Sequence, residues 1–246
     1  MASQYLTEMF SLEGKTAICT GATGGLGTAM SVALVKAGAS IVSLELPDDP
    51  LSADFNKKIH DAGGKVSTFH CNLKDKDSIR STFKAIWDSG VVPDILLNCA
   101  GVMKRNLCEN ATDDELDLEF GRKLLSLNRP GKIVNIASVT SYQAGFNTSV
   151  YSSTKGAVLQ MTKAFSNEWA SKGIQVNAIA PGFMRTNMTA QYQDNQQMID
   201  YLMLRVPMAR WGQPEDLVPG LLFLVAPSNT FTSGIALIID GGFCGK

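Results

Sequence analysis

Short apolar-rich runs alternate with longer amphipathic stretches along almost all of the 246 residues. Thr16-Ala17-Ile18-Cys19-Thr20, Ile41 to Glu45, Val66 to Cys71, Asp94 to Cys99, Lys132 to Ala137, Gln175 to Ala180 and Ile235 to Ile239 are segments of strand length between turn residues. Apolar runs of this length predict strands covered on both faces, as in a parallel sheet. The intervening stretches carry helical periodicity: one ends at Ala37, others run from Leu51 to Ala62, from about Asp75 to Ser89, from Asp113 to Leu127 and from Val150 to Ser171. Asn187 to about Leu204 reads as a polar helical flap, and Pro214 opens a helix leading into Leu217–Val225. Asp75 is placed to cap its helix. An unbroken alternation of strand and helix predicts one α/β domain over residues 1–246, without internal repeats.

Chemistry enters at the first turn. Gly21-Ala22-Thr23-Gly24-Gly25-Leu26-Gly27 follows the first strand directly and opens a helix. Glycines there let the backbone approach a pyrophosphate, and the helix N-terminus offers unpaired N–H groups to it. An ordinary tight strand–helix turn is the competing reading, and glycines at 21, 25 and 27 favour the cradle. The expected fold is therefore a Rossmann-type doubly wound parallel sheet of about seven strands, with helices on both faces. Glu45 ends the second strand 18 residues past Gly27, where a carboxylate would accept from adenosine ribose hydroxyls and repel a 2′-phosphate. No basic residue stands at Thr23 or Leu46. The expected cofactor is NAD, with NADP disfavoured.

Further candidates fall at the carboxyl ends of later strands, the edge where open parallel sheets bind ligands. Asn98 and Ser138 end the fourth and fifth strands. Thirteen residues past Ser138 come Tyr151 and Lys155, spaced i, i+4 on one face of a helix. A free phenol titrates near ~10, and moving it to ~7 takes ~4 kcal/mol. One ammonium ~4 Å away at an effective dielectric of ~20 supplies about that much. Ser138 would hydrogen-bond the same reacting oxygen. A lone Tyr-x-x-x-Lys also arises where a lysine merely snorkels to water, so the weight lies in the convergence on one edge.

The totals remove other classes. With 22 basic and 23 acidic residues the charges nearly cancel, which argues against nucleic-acid or anionic-membrane partners. Cys19, Cys71, Cys99, Cys108 and Cys244 contain no Cys-x-x-Cys pair and read as free thiols in a reducing compartment. His60 and His70 are the only histidines and read as structural, so no metal site is expected. Residues 1–15 lack the apolar core of a signal peptide, and a cytoplasmic protein acting on a small molecule is expected.

Together these residues resemble the short-chain dehydrogenase/reductase family over nearly the whole chain. The carrying motifs are Thr20-Gly21-x-x-x-Gly25-x-Gly27, Asn98-Cys99-Ala100-Gly101, Ser138, Tyr151-x-x-x-Lys155, and Pro181-Gly182 with Thr186. The resemblance implies catalysis by Ser138, Tyr151 and Lys155. It implies cofactor contacts from the glycine loop (Gly21, Thr23, Gly25, Leu26, Gly27), from Glu45, and from Asn72 and Leu73 after the third strand. Asn98, Ala100 and Gly101 would flank the cofactor, Tyr151 and Lys155 would also touch it, and Pro181, Gly182 and Thr186 would reach its carboxamide end. Within the family the chain is most similar to gluconate 5-dehydrogenase and 2-dehydro-3-deoxygluconate 5-dehydrogenase types, which implies a sugar acid or polyol substrate and a homo-oligomer, dimer or tetramer. Val102-Met103-Lys104-Arg105, Ser141-Tyr142-Gln143, Asn177 to Gly182 and Arg210-Trp211-Gly212 carry that likeness. Arg105 would pair with a substrate carboxylate and Gln143 would bond a hydroxyl.

Three departures stand out. Cys99 replaces a common Asn. Asn72 stands where the family usually has Asp, and its amide oxygen can still accept. Between Gly101 and Ser138 the chain is ~14 residues short of the family pattern, about four helical turns, which shortens the crossover helix between strands four and five. The Asn that completes the family's proton relay has no counterpart there. Two alternatives follow: a cofactor-binding protein with impaired or no catalysis, and a reductase of an unrelated ketone such as a polyketide.

Overall fold

A computed structural model describes residues 2–101, 119–145 and 148–245. Seven parallel strands form one sheet: β1 (Thr16–Thr20), β2 (Ser40–Glu45), β3 (Val66–His70), β4 (Ile95–Asn98), β5 (Gly131–Ile136), β6 (Ile174–Pro181) and β7 (Ala236–Ile239), in the order β3-β2-β1-β4-β5-β6-β7. The direction of winding reverses between β1 and β4, which pair with Thr20 opposite Asn98. Each expected strand is present. The described helices are α1 (Ala2–Phe10), α2 (Gly25–Lys36), α3 (Ser52–Asp61), α4 (Lys76–Asp88), α5 (Glu119–Ser126), α6 (Ser149–Trp169), α7 (Ala190–Gln193), α8 (Gln196–Arg205) and α9 (Val218–Val225).

Period-two alternation divides the core between the two faces. Ala17, Cys19, Ile41, Ile95, Leu97, Val134 and Ile179 pack with residues of α2, α3 and α9. Their neighbours Ile18, Val42, Leu96, Ile133 and Val176 pack with residues of α4, α5 and α6 on the other side. A strand buried on both faces cannot show a polar face, which is why the sequence presented apolar runs. Asp75 caps α4 as expected, its side chain accepting from Asp77 N at 2.9 Å.

Two helical segments differ from expectation. The helix expected from Asn187 to about Leu204 is a 3-10 turn (Asn187–Thr189), then α7 and α8. The break comes at Asn195, whose side chain accepts from Met198 N at 3.1 Å and starts a new helix. The second is α1, formed where the sequence suggested only the absence of a signal peptide. It is mostly exposed and is held where Met9 O accepts from Ser228 Oγ at 2.8 Å. The shortened crossover after β4 falls on residues 102–118, outside the described residues, as does Arg105. Among the described residues no helix is long and apolar enough to cross a membrane.

Candidate active site

The glycine loop folds back on itself at the β1 end. Gly21 takes φ +60°, and a β-carbon there would lie 2.7 Å from Ala100 Cα. On Gly27 one would lie 2.1 Å from the Gly21 carbonyl oxygen. Only glycine fits these two positions, so the loop stays tight against β4 and bares the start of α2. Ala100 N donates to Thr20 Oγ1 at 3.1 Å and ties the same two strand ends. Across the mouth, Thr186 Cγ2 lies 3.4 Å from where a Gly25 β-carbon would sit. This is a cradle that side chains would fill, and a dinucleotide pyrophosphate fits it.

At the adenosine end, Glu45 is buried and its Oε1 accepts from Ser43 Oγ at 2.6 Å. Asp49, which the sequence reading did not single out, accepts from Thr23 Oγ1 at 2.8 Å and so stands beside the glycine loop. Asn72 and Leu73 are exposed, and Asn72 Oδ1 accepts from Lys74 N at 3.1 Å.

The chemical end is assembled from β5 and α6. Ser138 leaves β5 and opens a 3-10 turn, Val139–Ser141, its Oγ accepting from Thr140 N while its N–H donates to Ser141 Oγ. Ser141 Oγ in turn donates to the Lys155 carbonyl at 2.7 Å, pinning α6 to the turn. Behind the site Asn98 Nδ2 donates to Asn135 Oδ1, and Asn135 Nδ2 to Thr162 Oγ1, each at 3.0 Å. That chain locks β4, β5 and α6 together and fixes where Tyr151 and Lys155 emerge. Tyr151 and Ser138 line the same cavity, and Ser138 favours the ionised form of the Tyr151 phenol. Lys155 Nζ donates to the Ile136 carbonyl at 2.6 Å and lies 5.8 Å from the centroid of the Tyr151 ring.

Burial raises the Tyr151 phenol above its ordinary value, with Ser138 pulling the other way. The expected lowering by Lys155 is thus not what the chain's own groups produce. The ammonium is spent on a strand carbonyl, and desolvation of the phenolate dominates. Burial also lowers the Lys155 ammonium, partly opposed by Cys99. Cys99 itself is pushed up to about 12 by burial, so it packs as a neutral thiol.

A cavity of about 640 Å³ opens over these groups. Of the expected site residues it is lined by Leu26, Gly101, Ser138, Gln143, Tyr151, Lys155, Pro181, Gly182 and Thr186. Gly21, Thr23, Gly25, Gly27, Glu45, Asn72, Leu73, Asn98 and Ala100 lie outside that lining. The far wall comes from the flap: Tyr192, Met198, Tyr201 and Arg205. The sequence reading took this segment as a polar helical flap and passed over Arg205, which no local spacing marks. A second cavity of about 400 Å³, lined by Met208, Arg210 and Asp240 among others, holds none of the expected residues.

A phosphate cradle at the switch point, with a hydroxyl, a phenol and an ammonium on the adjoining strand ends, is the equipment of a dinucleotide-dependent oxidoreductase. Residues 21–244 match the family model described as enoyl-(acyl carrier protein) reductase, and the chain belongs to the short-chain dehydrogenase/reductase family. It is 31% identical to 2-dehydro-3-deoxy-D-gluconate 5-dehydrogenase of Pseudoalteromonas atlantica over 98% of this chain and 100% of that protein. It is 33% identical to gluconate 5-dehydrogenase of Gluconobacter oxydans over 96% of each. A gluconate 5-dehydrogenase from Burkholderia cenocepacia, solved in complex with NADP and tartrate, superposes with a TM-score of 0.90 at 28% identity, over 98% of this chain and 99% of that one. The alignment with the Pseudoalteromonas protein spans 255 positions, whereas 98% of 246 residues is about 241, so about 14 positions there lack a counterpart here. That is the size of the shortfall read between Gly101 and Ser138.

Proposed function

We propose that this protein is an NAD-linked dehydrogenase that interconverts a secondary alcohol and a ketone on a sugar acid or closely related polyol, with Ser138, Tyr151 and Lys155 as its catalytic groups. The observation that carries the proposal is the convergence of Ser138, Tyr151, Lys155 and Thr186 on one cavity beside the glycine cradle. The substrate class is supported by full-length likeness to gluconate and 2-dehydro-3-deoxygluconate 5-dehydrogenases.

When bound, the nicotinamide supplies the hydride acceptor for oxidation and, in its oxidised form, a positive charge near the phenol. Gly21, Gly25 and Gly27 would hold the pyrophosphate at the start of α2, with Thr186 beside it. Glu45 would accept from the adenosine ribose. Its carboxylate and that of Asp49 disfavour a 2′-phosphate, which supports NAD over NADP. In oxidation, Tyr151 as phenolate takes the hydroxyl proton while the carbinol C–H bond breaks, leaving a carbonyl. Ser138 orients the alcohol and stabilises oxyanion character, a role worth ~3 kcal/mol by comparison with other oxyanion donors. Lys155, set between Ile136 and the tyrosine ring, adds a positive charge that offsets part of the phenolate's desolvation cost. Among the described residues Cys19, Cys71, Cys99 and Cys244 form no disulfide, in keeping with a cytoplasmic setting.

The reading without catalysis finds no support among the relatives, which carry dehydrogenase names over essentially their full length. The test is an absorbance assay with NAD(H) and NADP(H) against sugar acids and polyols, on wild type and Tyr151→Phe. Wild type is expected to turn over a sugar acid with NAD preferred, and Tyr151→Phe to lose turnover while still quenching fluorescence with NADH. Normal turnover in that variant would refute the mechanism, and NADH binding without turnover of any substrate would sink the enzymatic reading.

A further inference from the structure

The substrate cavity is built for a negative charge. Its described lining contains two cations, Lys155 and Arg205, and no carboxylate. Lys155 is committed to the Ile136 carbonyl at 2.6 Å. Arg205, the last residue of α8, is placed differently. Its guanidinium carbon lies 4.9 Å from the centroid of the Phe243 ring and 5.7 Å from that of Tyr201. Two aromatic faces fix the plane of the group and remove much of its rotational freedom before any ligand arrives. One N–H of Nη2 reaches Gln143 Oε1 at 3.4 Å, a long contact. Among the described residues no carboxylate pairs with Arg205, although five N–H donors are available in a fixed fork.

Gln143 links this cation to the chemistry. Its backbone N–H donates to the Val139 carbonyl at 3.0 Å, within the turn that Ser138 opens. The catalytic serine, Gln143 and Arg205 therefore form a continuous path along the cavity wall, from the reacting hydroxyl to a pre-oriented, half-buried guanidinium. A planar fork with free donors matches a carboxylate, which it takes in two parallel hydrogen bonds.

We propose that Arg205, positioned by Phe243, Tyr201 and Gln143, binds the carboxylate of the substrate and so sets which carbinol carbon faces Tyr151. The assignment rests on the sugar-acid reading above. It gives the acid-recognition role to the flap, whereas the sequence placed it at Arg105. Arg205 is a specificity residue: it acts on the acid end and leaves the proton transfer to Tyr151.

The test is calorimetric titration of the enzyme–NADH complex with D-gluconate and with D-sorbitol, its uncharged counterpart, in wild type, Arg205→Gln and Arg205→Lys. Steady-state kcat and KM are measured on the same proteins. Wild type is expected to bind the acid more tightly than the alditol. Arg205→Gln should weaken gluconate by roughly 30-fold or more, the cost of truncating one side of a charged pair, and the loss should fall on KM more than on kcat. Arg205→Lys, which keeps the charge and loses the fork, should lie between. The NADH dissociation constant and melting temperature report whether each variant is folded. If Arg205→Gln does not fold, Arg205→Lys decides, and an unchanged gluconate affinity in it overturns the proposal. If wild type prefers the acid and Arg205→Gln keeps that preference, Arg205 is excluded and the sugar-acid reading stands. If wild type shows no preference for the acid, both fall together.

Discussion

Tyr151 is a phenol that the folded chain holds in the protonated state. Burial raises it, and the influence of Ser138 only partly offsets that. As a base in oxidation it must be deprotonated, so between pH 7 and 9 the reactive fraction should grow with each unit of pH. We expect kcat/KM for oxidation to climb close to tenfold per unit across that range, and the reductive direction, which uses the phenol, to stay nearly flat. A plateau of the oxidative rate below about pH 8 would show that bound cofactor and Lys155 together depress the phenol far more than burial raises it. The sequence made the tyrosine, lysine and serine legible because their spacing is local and each sits at a strand end or a helix start. It did not make the direction of the shift legible. That depends on how deeply the phenol is buried once α6 packs beside β5, which no local spacing records.

Elements are joined beneath the site by side chains with no apolar pattern to announce them. Asn135 is 2% exposed, accepting from Asn98 on β4 and donating to Thr162 on α6. Asn135→Leu leaves the half-buried Asn98 amide without its acceptor and removes the bond to the buried Thr162 hydroxyl, and should cost about 1–3 kcal/mol in chemical denaturation. Because α6 carries Tyr151 and Lys155, kcat should fall as well. A variant as stable and active as wild type would show that the three elements are registered by packing alone. The strands and most helices were readable from hydrophobic period and caps such as Asp75. The split of the flap into α7 and α8 was harder, since Asn195 caps a helix in the middle of a continuous amphipathic stretch. Arg205 meets Gln143 across 62 residues of sequence. Such a contact exists only once the flap has folded over the cavity, so no reading of neighbours along the chain would find it.

The whole molecule presents apolar side chains at the β7 end of the sheet. Phe223, Phe231, Ile235 and Ile238 are all more than a third exposed, and β7 is an edge strand among the described residues. An edge with such side chains is commonly covered. We expect a dimer or tetramer by light scattering on a sizing column, and Phe223→Glu with Ile238→Lys to shift it toward smaller species. A monomeric wild type would sink that expectation. Thr186 lies against Gly25 of the cradle and also lines the substrate cavity. The two compartments therefore share a party wall, and any coupling between their ligands would pass through it. Thermodynamics then demands symmetry: whatever factor the dinucleotide applies to the hold on the acid, the acid must apply to the hold on the dinucleotide. The protein's grip on its cofactor would in that sense be partly a property of what sits beside it in the cavity.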